Sequence, residues 1–195
     1  MRSTKGIGLE EVGVAMDRGR ITVNEHLQTS VETVFGAGDC LRGIGLAHQA
    51  SHEAIAAVET MFGEGGHVNY DAVPGAIFTY PQIASVGVRE HEAAARGLEV
   101  SVGKFPFSAI GKASAIGERE GFIKLVAEAS SGKLIGASAV GPEVTELIAE
   151  ITLAVNLGLT ASDVADTIHT HPTLAEAVGE AALAVLGRPI HLPAG

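Results

Sequence analysis

A single cysteine, Cys40, occurs among 195 residues, so no disulfide can form within this chain. Basic residues are also scarce. Thirteen Lys and Arg stand against 23 Asp and Glu, a formal net charge of −10. A nucleic-acid binder needs a basic face to meet phosphates, and that class is excluded. No apolar run approaches the ~20 residues that cross a bilayer. The opening MRSTKGIGLE has basic residues but no apolar stretch behind them, so it does not read as a secretory signal. A soluble, cytoplasmic protein is the expectation, with no membrane partner. The chain has no internal repeat, no low-complexity tract, and no G-x-G-x-x-G opening a βαβ unit, the usual seat of a dinucleotide pyrophosphate.

What is present makes a core. Hydrophobic residues are 46% and charged residues 18% of the chain, a balance that argues against disorder. Twenty-five glycines fit many tight turns. The length allows one domain, or one and a half.

DRGR (17–20) reads as a turn between short strands. TVFGAGD (33–39) reads as a buried strand ending in a tight loop. From His48 to Phe62 the composition is helical, with Ala50, Ala54, Ala57, Val58 and Met61 on one side. GEGGH (63–67) ends that helix, and the joint to about Val73 marks a domain boundary. Beyond it, AIFTYPQIASVGV (76–88) suggests strands interrupted by Pro81, and REHEAAARG (89–97) a short polar helix closed by Gly97. Residues 121–141 form two β-rich runs around Ser130, Ser131 and Gly132, a hairpin signature. Val144, Leu147, Ile148, Ile151 and Val155 recur at helical spacing, and a last helix runs from about Leu174 to Leu186. Elements grouped in this way predict an α+β domain, with helices on one face of a mostly antiparallel sheet.

Near the end stands HTHPTLAEAV (169–178). Imidazole exchanges a proton near neutrality, and a carboxylate on one ring nitrogen fixes its tautomer. His171 and Glu176 are spaced to make such a pair if Pro172 and Thr173 turn the chain into the helix. Thr173-x-x-Glu176 also matches a capping box, the commoner use of this spacing. Both can hold at once, because a carboxylate has several acceptor sites. Metal binding by His169 and His171 is a third option, but no further ligand stands nearby and no metal is assigned. In GAGD, small residues would let a ligand approach the backbone, and Asp39 could accept from ligand hydroxyls. Taken alone it is an ordinary turn. It gains weight from Gly45-Leu46-Ala47-His48, which sits directly before a helix start where backbone amides gather.

In order and spacing these segments resemble the pyridine nucleotide–disulfide oxidoreductases. TSVETVFGAGD (29–39) looks like that family's second FAD-binding motif, and GLAHQASHEA (45–54) like the segment lying against the flavin. IFTYPQIASVG (77–87) is similar to the entry into its dimerisation domain, and HTHPTLAEA (169–177) to its C-terminal active-site motif. Within the family the dihydrolipoamide dehydrogenases are nearest. Mercuric reductases usually carry Tyr at the place of His171, and glutathione reductases typically lack a histidine at that of His169. The ending GRPIHL (187–192) also resembles bacterial dihydrolipoamide dehydrogenases.

The resemblance implies a dimerisation domain of the FAD/NAD-linked reductase type at 71–195, preceded at 1–70 by remnants of the NAD- and FAD-binding domains. It implies that His171 is the acid/base and that Glu176 orients it. Asp39 would hold the FAD ribityl chain, with Gly38 beside it, and the backbone of Gly45, Leu46, Ala47 and His48 would meet the isoalloxazine. It further implies a homodimer whose histidine serves the other subunit's disulfide. The complete enzyme would have as partner the lipoyl-bearing acyltransferase core of a 2-oxo acid dehydrogenase complex. The family's Cys-x4-Cys couple is not in this chain, nor are the NAD site and the ADP part of the FAD site. The expectation is therefore a C-terminal part, inactive alone. The alternatives are a non-catalytic dimerisation module, or the same domain of a glutathione- or mercuric-reductase-like enzyme. The apolar faces of the 143–158 and 174–186 helices are the candidate dimer surfaces, beside their ordinary use in packing against the sheet, which some of those residues must serve.

Strands of residues 1–70 would lack their neighbours in such a part, which leaves edges and apolar surface open. Amide hydrogen exchange on the isolated chain should show weak protection across that stretch. Uniform strong protection in a monomer would contradict the expectation.

Overall fold

The structure is a computed structural model that describes residues 4–192, so expectations touching residues 1–3 lie outside it. The chain divides between Asn69 and Tyr70 into two units.

Regular structure is sparse in the first unit. Strands β1 (Met16–Asp17) and β2 (Arg20–Ile21) pair across Arg18 and Gly19, as the DRGR turn predicts. The stretch 33–39 is not the strand its composition suggests. Its backbone–backbone bonds are local, the Val34 carbonyl accepting from the Thr29 amide and the Gly36 amide donating to the Leu27 carbonyl, with one isolated bridge between Phe35 and Gln28. A strand needs a continuous ladder for its amides and carbonyls, and here the chain passes instead into a 3-10 turn, Gly38–Cys40. Helix α1 (Ala47–Met61) forms where expected, but on a different face. Gln49, Glu53, Ala56 and Ala57 are buried, while Val58 and Met61 stay about half exposed at 50% and 53%. The inward side is set by a carboxylate: Glu53 accepts from Gln49 Nε2 at 2.8 Å and from the Gly38 amide at 2.6 Å. Leu27, Leu41, Ala56, Ala57 and Val68 make this unit's apolar cluster, with Cys40 partly buried against it.

The second unit is built on a five-stranded antiparallel sheet. Along the chain come β3 (Gly75–Ile77), β4 (Gln82–Gly87), helix α2 (Glu90–Ala95), β5 (Val100–Pro106), α3 (Gly111–Ala115), β6 (Phe122–Glu128) and β7 (Leu134–Gly141). Three helices complete it: α4 (Val144–Leu157), α5 (Ala161–Asp166) and α6 (Glu176–Val185). The strand order is β3-β4-β7-β6-β5. The expected hairpin is β6–β7, in register at Ile123↔Ala139 and Leu125↔Ala137. Those side chains point to one face, where α4 lies on β4 and β7 and α6 on β5 and β6. Phe105, Ile123, Leu125, Ile148, Ile151 and Val178 interlock there at 4% exposure or less.

Two features depart from the sequence expectation. Strand β5 and helices α3 and α5 lie where no pattern marked an element, since they are short or, like β5, interrupted by Gly103 and Lys104. One helix, α2, takes the other face. Its Glu90 pairs at 2.9 Å with Lys124, which alternates with the core residues Ile123 and Leu125. The apolar faces of α4 and α6 serve the core packing that the sequence reading set beside a dimer role. Val144, Ile148, Ile151 and Ala154 of α4, and Ala177, Val178, Ala181 and Ala182 of α6, are buried against the sheet. Apolar groups left open in this unit include Phe78, Tyr80, Leu157 and Ile168. No helix among the described residues is long and apolar enough to cross a membrane.

Helix α6 approaches β5 through a glycine. A Cβ on Gly103 would lie 2.2 Å from the Ala181 carbonyl oxygen and 2.3 Å from the Val185 nitrogen, both backbone atoms with no room to yield. Gly103→Ala should therefore cost about 3 kcal/mol in urea unfolding. Gly111→Ala meets nothing within 4 Å and should be close to neutral. Equal midpoints for the two variants would refute this account of the strand–helix contact.

Candidate functional site

Residues 167–175 cross from α5 to α6 without regular structure, and side chains hold the crossing in place. Glu176, the first residue of α6, uses both carboxylate oxygens. Oε2 accepts the Thr173 amide at 2.8 Å, and Oε1 lies 2.8 Å from His171 Nδ1. The box expected at Thr173 is thus half formed. The Thr173 hydroxyl does not cap the helix: it donates to the Thr170 carbonyl at 2.7 Å, and Ala175 takes the N-cap position. The loop curls tightly enough to claim the hydroxyl for itself.

Burial pushes the Glu176 carboxyl up. The His171 hydrogen bond, the Thr173 amide and the nearby His171 and His191 charges together outweigh it and hold Glu176 below its ordinary value. Glu176 is then ionised near neutrality and can only accept. Nδ1 of His171 must carry the proton of their shared bond, leaving Nε2 as the basic nitrogen of the neutral ring. The His171 side chain is 78% exposed and that of Glu176 23%. One end of the ring is fixed and the other is open to a reactant.

His169 is engaged differently. Nδ1 lies 3.0 Å from the Thr167 carbonyl and Nε2 2.8 Å from Glu150 Oε1. Both ring nitrogens face acceptors, which suits the doubly protonated ring. The bond to Glu150 raises its pKa above the ordinary value, against an opposing effect of burial. The ring fits because α6 has a glycine beneath it: a Cβ on Gly179 would come within 2.9 Å of His169 Nδ1. His169 thus ties the loop to α4 and leaves both nitrogens occupied.

These groups line an open cleft of about 210 Å³, walled also by Ala109–Gly111, Ala165, Leu183, Glu180 and His191. That is below the roughly 300–1,000 Å³ that encloses a typical small ligand, as suits one wall of a larger site. Glu180 and His191 form a third carboxylate–imidazole pair, with Oε1 to Nδ1 at 2.7 Å. The sequence reading singled out neither this pair nor Glu150. Glu176 and Glu180, four apart, share a helix face, and that spacing was the available signal. Glu150 sits in the apolar pattern of α4 and had none.

In the first unit, the residues expected to hold a cofactor do gather. Gly38 and Asp39 open the 3-10 turn, and Gly45 faces them: its Cβ would lie 3.2 Å from Asp39 Oδ1. Gly38 and Gly45 both have φ of +78°, a region where other residues are strained. Asp39, Gly45, Ala47 and His48 are exposed and Leu46 is half-buried. No side chain caps the start of α1 at Leu46. An exposed acid beside Gly45, where a side chain would crowd the carboxylate, suits a hydroxyl-bearing ligand laid along the backbone.

Known proteins similar to this chain are numerous. The dihydrolipoyl dehydrogenase of Halobacterium salinarum is 48% identical over 96% of this chain and 40% of its own length. That of Bacillus subtilis is 47% identical, with the same coverage of each. The chain thus spans about two fifths of the length of these curated relatives. The crystal structure of LpdA from Mycobacterium tuberculosis superposes with a TM-score of 0.87 at 32% identity, covering 92% of this chain and 39% of that one. A family model described as pyridine nucleotide-disulphide oxidoreductase matches residues 2–54. The dimerisation-domain model of the same family matches residues 73–182. As that second match takes in more than half of the sequence and the sheet carrying the His171 cleft, the chain belongs to the pyridine nucleotide-disulphide oxidoreductase family.

Proposed function

We propose that this chain is the C-terminal part of a dihydrolipoamide dehydrogenase, and that His171 with Glu176 is its acid/base pair. The observation that carries the reading is the 2.8 Å contact between Nδ1 and a carboxylate held ionised, on a ring otherwise open to its surroundings. Thiol–disulfide exchange proceeds through the thiolate. In this reading Nε2 of His171 takes the proton of a dihydrolipoamide thiol and later returns it. Glu176 stabilises the imidazolium formed in between, without itself being protonated. The cleft is one-sided, which supports a homodimer in which the sulfur couple comes from the partner subunit. A cytoplasmic setting, and docking to a lipoyl-bearing acyltransferase core, belong to the same reading.

Asp39 would accept from the ribityl hydroxyls of FAD, Gly38 and Gly45 would admit it to the backbone, and residues 45–48 would lie along its ring. FAD and NAD, when bound to the complete enzyme, supply the electron-carrying chemistry. The exposed Asp39 and the glycines at positive φ support this assignment.

Co-expression with the remaining amino-terminal part of the Bacillus subtilis relative tests the reading. A yellow complex should reduce NAD⁺ with dihydrolipoamide, and His171→Gln should lower that rate by about 10²- to 10⁴-fold. A colourless, inactive mixture, or full activity in the variant, would refute it.

His169 has a separate, structural test. Its pKa is raised in the folded chain from a reference of 6.5, so the stabilisation it brings is complete below that pH. It is lost as pH rises through the folded value. The advantage of the unsubstituted chain over Glu150→Gln in urea unfolding should therefore be larger at pH 6 than at pH 9. An advantage independent of pH would mean that the pair acts by packing alone.

A further inference from the structure

Glu180 has no part in the acid–base step above, yet it is almost sealed, with a side chain 8% exposed. A buried carboxylate is costly unless its oxygens are satisfied. Here Oε1 is met by His191 Nδ1 at 2.7 Å, and Oε2 accepts the amides of Ile190 and His191 at 3.1 and 3.2 Å. All three donors belong to two adjacent residues of the C-terminal segment, and the next residue, Leu192, packs against the core. The segment is thereby turned back onto α6. The His191 ring, 63% exposed, is brought into the same cleft as His171 and Glu176.

We propose that Glu180 and His191 are positioning residues of this cleft. The buried carboxylate holds the C-terminal segment as a wall and sets the His191 ring where its charge acts on Glu176 and, through it, on His171. The consequence for catalysis rests on the acid–base reading of His171, whereas the physical coupling does not. Glu176 and Glu180 are one turn apart, and two bare carboxylates at that spacing repel. An imidazolium bound to the second offsets the repulsion and favours the ionised first. The His191 charge is among the influences that lower Glu176. The other titratable groups around Glu176 are His171 and His169 on the loop, Glu150 on α4 and Glu180 on α6. The remaining walls, Ala109, Ile110, Gly111, Ala165 and Leu183, bring none.

Carboxyl carbon NMR titration of Glu176 in the 195-residue chain reads the coupling directly, with no cofactor or substrate. His191→Gln removes a cation and should raise the Glu176 midpoint by about 0.3 pH unit, and by less in about 1 M salt, which screens charge; Glu180→Gln removes an anion but also releases His191, so its shift should be smaller. The His191 ring lies outside the core, so its variant should keep the fold. A rise in His191→Gln that shrinks in salt, with a smaller shift in Glu180→Gln, supports the proposal. A midpoint unmoved by His191→Gln, or moved equally at low and high salt, would overturn it, because loosening of a merely structural latch is not screened. Failure of the co-expression test above would leave this outcome readable.

Discussion

The candidate site depends on one carboxylate doing two tasks. Glu176 ties the loop with one oxygen, through the Thr173 amide, and orients an imidazole with the other. Neither task costs the other its partner, because the oxygens accept along separate directions. The first rigidifies the second: a ring held by a side chain on a frayed helix start would wander, whereas here the same residue closes the turn that carries the ring. Preorganisation of that kind lets a base meet its proton without prior rearrangement.

Around that contact the fold supplies support by omission. α6 meets β5 at Gly103, where any side chain would strike backbone, and meets the His169 ring at Gly179. The apolar residues that the helix buries are small: Ala177, Val178, Ala181 and Ala182. Close approach brings the cleft face of α6, with Glu176 and Glu180, level with the loop. His169, bonded to Glu150 on α4, holds the loop from its other side. The outcome is a ring exposed by 78% on a well-anchored base, in a cleft too shallow to enclose a ligand alone.

The first unit shows the same economy on a smaller scale. A carboxylate at 0% exposure, Glu53, fixes the Gly38 turn from inside, while another, Asp39, stands exposed on that turn. Two acids at one turn thus take opposite roles, one structural and one facing outward, because their environments differ.

Much of this was legible in the residues themselves. The hairpin around Ser130–Gly132, the α4 periodicity and the α+β class follow from alternation and helical spacing, which depend only on local geometry. The HTHPTLAEA stretch marked His171 and Glu176 as a pair worth testing, and glycines with an acid marked the turn at Asp39. Tertiary structure decided what spacing leaves open. It turned α1 to bury Gln49 and Glu53 beside Ala56 and Ala57, denied 33–39 a ladder, and set the apolar faces of α4 and α6 against the sheet. It also brought Glu150, nineteen residues before His169, and His191, eleven after Glu180, into contact. Such contacts join residues remote along the chain, through helices whose placement is set by packing, and no local pattern encodes where a packed helix will come to rest.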